Sequence, residues 1–197
     1  MTRIFDGTGT EHSAKVDKDG KLHVDSVIRS SEGEEAKKGN AFILHAECHL
    51  AAAASGGFLY FTNNEPDYDI VVTRIYIDAG TLTTGVKVRQ IKNPATVSNG
   101  TDISATGIIQ KNFESHITLD ASLVVSDGAS DMTYTGGEQY HAFSLSTLQS
   151  QQRNMNETNI IGPGKTMLFG WSALTGSCTN AETVSFSINV IKRLRTQ

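Results

Sequence analysis

His45, Glu47 and His49 are the residues of this chain whose types and spacing come closest to chemistry. On an extended strand, side chains two positions apart share a face and lie roughly 7 Å apart, so these three would form a row. Two imidazoles and a carboxylate are a ligand set that zinc accepts. A half-buried strand produces the same alternation simply by turning its polar residues to water. No His-rich or Asp-rich partner segment stands out elsewhere, so the row is read first as a polar outer face and only second as a metal site.

Other chemical motifs fail on inspection. Gly162-Pro163-Gly164-Lys165-Thr166 ends like a phosphate loop, but the pattern needs Gly at position 159, which is Asn. The residues that follow, Met167–Trp171, alternate like a strand, whereas a phosphate loop must open a helix. Gly170-Trp171-Ser172-Ala173-Leu174 lacks the second Gly of a nucleophile elbow. A calcium loop laid over 15–26 would begin at Lys15 and end at Ser26, where carboxylates are required. The carboxylates are scattered, and none pair off as acid and base. With no catalytic constellation and no cofactor motif, the expectation is a non-enzymatic protein without a cofactor.

The totals narrow the class further. A chain of 197 residues has room for one sizeable β domain, or for a smaller one with an arm. It can bury about 70% of its unfolded surface and needs no staples. A net charge of −4 argues against a mainly electrostatic nucleic-acid binder. Cys48 and Cys178, far apart in sequence, read as two buried small hydrophobes rather than a disulfide framework. No apolar run approaches the roughly 18 residues of a membrane span. The start, Met-Thr-Arg-Ile-Phe-Asp-Gly, lacks the order of a signal peptide. The expectation is a soluble protein that works or is assembled in a cytoplasm.

The elements that would position any site are strands. The stretch 56–80 holds two runs, Phe58–Thr62 and Tyr68–Asp78, joined at a bend containing Pro66. In the second run a strict two-residue period places Val71, Ile75 and Ile77 on one face and Ile70, Val72 and Tyr76 on the other, as in a central strand covered on both sides. Further strands are expected over 41–50, 85–91, 113–125, 141–148, 165–174 and 183–194, with Trp171 in the core. Ile117, Leu119, Ala121, Leu123 and Val125 would line one face of the run from Phe113. Segment 146–156 could instead make a turn or two of helix, and 92–112 and 126–140 read as long loops. About eight strands with turn signals between them predict an all-β sandwich or barrel over 41–197.

Ahead of the sandwich, residues 1–13 are expected to form an extended arm with Ile4 and Phe5 as apolar anchors. Residues 14–40 are expected to form a hairpin around Asp19-Gly20, with Leu22 and Val24 on one face, followed by a solvated charged linker over 29–40.

Four stretches carry a resemblance: Val16–Val24, then Phe58–Asn64, then Tyr68–Asp78, then Ile160–Lys165 entering an apolar strand. With them the chain resembles virion structural proteins of tailed bacteriophages, in particular jelly-roll cement or decoration proteins. The likeness is one of pattern over most of 14–194, and no family residue transfers through it. It implies a jelly-roll-like β-sandwich over 41–197 and a non-enzymatic protein that binds between major capsid subunits, as a dimer or trimer with copies of itself, on the outside of a phage head after assembly in the host cytoplasm. Nucleic acid and membrane are not among the implied partners. The arm and hairpin, with Ile4, Phe5, Leu22 and Val24, would be the clamp. The rival expectation is a tail, fibre or baseplate component that binds a host surface or carbohydrate; Tyr134 and Tyr140 are the loop aromatics such a role could use.

Overall fold

A strand with an apolar residue at every second position has one face to bury, and from residue 41 onward the chain buries such faces against one another. The computed structural model describes residues 3–5, 13–16, 22–23, 31–128, 132–147, 149–179 and 181–195. Two units are present, Met1–Ser30 and Ser31–Gln197. In the first, β1 (Arg3–Phe5), β2 (Ser13–Val16) and β3 (Leu22–His23) form an antiparallel sheet in that order. Arg3–Phe5, expected within an extended arm, is therefore a paired strand.

The second unit runs α1 (Ser31–Lys37), β4 (Ala41–His49), β5 (Ser55–Asn63), β6 (Tyr68–Asp78), β7 (Val86–Lys92), β8 (Thr96–Ser98), β9 (Thr101–Asp102), α2 (Ser104–Gly107), β10 (Ile108–Gln110), β11 (Ala121–Val125), β12 (Thr133–Thr135), β13 (Glu138–Leu145), β14 (Ser150–Ile161), β15 (Thr166–Ala173) and β16 (Thr183–Leu194). One sheet has the order β10-β4-β16-β6-β14 and the other β13-β7-β15-β5-β11-β9. Neighbouring strands in both are antiparallel. The protein is an all-β antiparallel sandwich. Its long strands β4, β5, β6, β7, β13, β14, β15 and β16, taken as first to eighth, lie in the orders 1-8-3-6 and 2-7-4-5.

The sheets meet at Phe186 of β16, whose ring centroid is 5.5 Å from that of Phe58 on β5 and 5.1 Å from that of Phe169 on β15. Trp171 extends the cluster, 5.9 Å from Phe58, and is fully buried. Tilted rings at this spacing gain beyond the area they bury. Both cysteines are free and buried in the same core.

The two-residue period breaks once inside β6. Between Asn189 and Val190 of β16 the register against β6 shifts, so that Asn189 opposes Arg74 while Val190 opposes Val72 and Thr73 is passed over. This β-bulge reverses the facing of everything beyond it. Ile70, Val72, Ile75 and Ile77 all point into the core, Val71 packs on the outer face with Ala41 and Ile191, and Tyr76 is 41% exposed. The strict alternation expected for this strand is thereby corrected.

Other expectations change for equally local reasons. The 29–40 segment holds α1, not a solvated linker, because Ala36 packs on Ala41, Val71 and Ile191. Only Ala121–Val125 of the expected strand 113–125 pairs. Residues 150–161 form edge strand β14, which corrects the alternative of a helical turn over 146–156. The long connections carry structure too. The two-stranded ribbon β8–β12 lies over the outer face of the six-stranded sheet, where Gly57 N–H donates to the Met132 carbonyl at 2.7 Å. A Cβ at Gly170 would sit 2.5 Å from the Tyr134 hydroxyl, so glycine makes room for that cover.

The bulge and the seam make opposite demands on neighbouring side chains. Phe186→Ala is expected to cost about 3–5 kcal/mol by opening a cavity between the sheets. Tyr76→Ala is expected to stay within about 1 kcal/mol, as for an exposed site. Chemical denaturation of both variants checks the pair; a Tyr76→Ala cost as large as that of Phe186→Ala would place Tyr76 on the wrong face.

Candidate functional site

His45, Glu47 and His49 do form one row on the outer face of β4, with Ala46 and Cys48 turned into the core. The His49 Nε2 to Glu47 Oε1 distance is 4.0 Å, with Glu47 exposed and His49 half-buried. Among the described residues, no three His, Cys, Asp or Glu side chains converge as a metal would require. The row is the polar face of a half-buried strand. Burial holds the Cys48 thiol far above its ordinary range, with the Glu47 charge adding to it. Burial, helped by Glu182, also pushes the Cys178 thiol up to about 11. Neither supplies a thiolate at neutral pH.

The expected clamp residues lie in the first unit. Ile4 is registered opposite Ala14, Phe5 opposite Ser13, and Leu22 opposite Val16, while Val24 lies outside the described residues. Of the two loop aromatics, Tyr134 packs on Gly170, and Tyr140 belongs to β13 with the Lys92 ammonium 3.9 Å from its ring centroid. Neither presents a free ring for stacking.

The feature that stands out was not legible as a site: Phe113 is 96% exposed. Its loop, 111–120, follows β10 at the free edge of the five-stranded sheet. Ile109 and Ile117 are 41% and 40% exposed. Leaving such a ring in water forgoes about 1.5–3 kcal/mol of burial.

Hydrogen bonds fix the loop on both sides of the ring. The Gln110 amide donates to the carbonyls of Gly39 at 2.8 Å and Ile117 at 3.0 Å, and its oxygen accepts from Asn112 N–H at 2.7 Å. Asn112 Oδ1 accepts from Glu114 N–H at 3.0 Å, and Ser115 Oγ accepts from Ile117 N–H at 3.1 Å. These local bonds compete with a ladder, which is why the apolar alternation here does not become a strand. Gly39, at φ +82°, seats the loop against the end of α1, since a Cβ there would lie 2.1 Å from Ser115 Oγ.

Glu32 ties the helix, the loop and the sheet together. Its carboxylate is ion-paired with Lys111 and accepts from Thr73 Oγ1 at 2.9 Å and from the Asn189 amide at 3.1 Å. Desolvation alone would raise its pKa, but the Lys111 and Thr73 hydrogen bonds and the charges of Lys111 and Arg74 outweigh it and hold the group below the ordinary value of 4.5. Comparison with protein-family models, with curated proteins and with solved structures finds no significant match to this chain.

A carboxyl whose folded pKa is depressed stabilises the fold fully above its unfolded pKa, here near 4.5, and loses that contribution as pH falls through the folded value. Glu32→Gln is therefore expected to melt below the parent chain at neutral pH, by about 2–4 °C for each kcal/mol removed. The gap should close on acidification past that window. Calorimetric scans at several pH values check this, and a gap that widens in acid would contradict the assignment.

Proposed function

We propose that this chain is a jelly-roll structural protein that works by surface fit rather than by chemistry. The strand orders 1-8-3-6 and 2-7-4-5 support the jelly-roll reading, because they interleave two Greek keys across a sandwich. Within that class we assign it the part of a cement or decoration protein on a tailed-phage head, seated between major capsid subunits.

One observation carries the docking role: Phe113, almost wholly exposed, stands on a loop fixed by side-chain hydrogen bonds. An aromatic ring held ready loses little freedom when it fills a pocket, and such rings dominate binding energy where they occur. The first unit adds a second point of attachment. With about thirty residues and no cysteine it is below the size that forms an independent core, so folding against another polypeptide suits it. Two weak attachments carried by one chain multiply through effective concentration.

Purified particles test the reading. Phe113→Asp and a chain lacking residues 1–30 are each expected to stay folded, to lower occupancy on the heads, and to leave the shells easier to disrupt by heat or dilution. A chain found on the tail or absent from particles, or full occupancy by both variants, would overturn it.

A further inference from the structure

The outer face of the five-stranded sheet is divided in two. Helix α1 covers one half, through Ala36 on Ala41, Val71 and Ile191 and through Glu32 on Thr73 and Asn189. The other half is open and has two transverse rows set by the register. One is His45–Ser187–Tyr76–Gln152 and the next is Glu47–Ser185–Asp78–Ser150. Strand β16 supplies only serines here, between His45 and Glu47 on one side and Tyr76 and Asp78 on the other. Small residues between larger ones make a shallow trough along β16. Arg74, bonded through Nε to Asn154 Oδ1 at 3.2 Å, and Asn189 stand at the end nearest α1. Across four strands the platform spans about 14 Å, from a strand spacing of about 4.8 Å.

We infer that this trough is a binding site for a neutral, hydroxyl-rich chain, a polysaccharide, with Tyr76 as the stacking ring. The chemistry of the lining selects that occupant. Tyr76 offers a flat apolar ring with a polar tip, suited to the C–H face of a sugar. Hydroxyl, amide, imidazole and carboxylate groups around it can donate to or accept from alternating hydroxyls. The formal charges, Arg74 against Glu47 and Asp78, leave a slight negative balance that disfavours nucleic acid and acidic glycans. The apolar content is too small for the dry centre of a protein interface. This site is separate from the Phe113 loop and does not depend on its docking role.

Electrophoresis of the full chain through native gels cast with dextran, starch, galactomannan, xyloglucan or mixed-linkage β-glucan tests the inference. Retardation by at least one of these is expected. Tyr76→Ala should weaken it about tenfold or more, as loss of an anchoring ring does. Ser187→Trp, which fills the trough while leaving the core untouched, should abolish it, and Phe113→Asp should leave it unchanged. Retardation by none of the five, or retardation that survives both Tyr76→Ala and Ser187→Trp, would overturn the inference. So would a Ser187→Trp chain whose main change is in its oligomeric mass, which would make this face a contact between copies.

Discussion

Everything in the sandwich depends on one constraint: each sheet must keep a single apolar face turned toward the other across the Phe58–Phe169–Phe186 contact. Because successive residues of a strand point to opposite sides, the inward set is fixed once register is fixed, and so is the outward one. The His45–Glu47–His49 row is a consequence of this rule. It exists because Leu44, Ala46 and Cys48 must face in.

The same rule explains how much of the molecule could be read from its residues. Strands β6 and β16 have the bounds that alternation predicts, Tyr68–Asp78 and Thr183–Leu194, because both lie inside a sheet and carry long apolar periods. Trp171 and the Pro-Gly turn before Thr166 follow for similar reasons: an apolar period on one side, a glycine at φ +65° on the other. What was hidden depends on partners. The bulge at Thr73 exists only in the register of β6 against its neighbours, which a single strand does not reveal. Strand β14 lies at an edge, and its Gln- and Asn-rich first half shows little apolar alternation to read.

Phe113 shows the opposite failure, a period that was present and misleading. Ile117, Leu119, Ala121 and Leu123 alternate as a strand should, yet Asn112 and Ser115 take the N–H groups of Glu114 and Ile117 before a ladder can. Asn112 and Ser115, each two positions before the N–H it captures, are the residues that could have warned of a loop. The exposed ring is the result of that competition, not of a missing partner strand.

Covering is what separates the parts of the surface that hold the fold from the parts left for other work. The β8–β12 ribbon closes the outer face of the six-stranded sheet, with Tyr134 over Gly170 and Met132 over Gly57. Helix α1 closes half of the opposite face and is pinned there by Glu32. The helix thereby hides apolar residues that the two-residue period would otherwise leave in water, Val71 and Ile191. Where the outward residues are already polar, as on the Tyr76 half, stability demands no cover. That half face and the Phe113 loop can therefore change their side chains without disturbing the Phe186 seam. Such independence lets a rigid body present two different surfaces, since neither contributes to the packing that keeps it rigid.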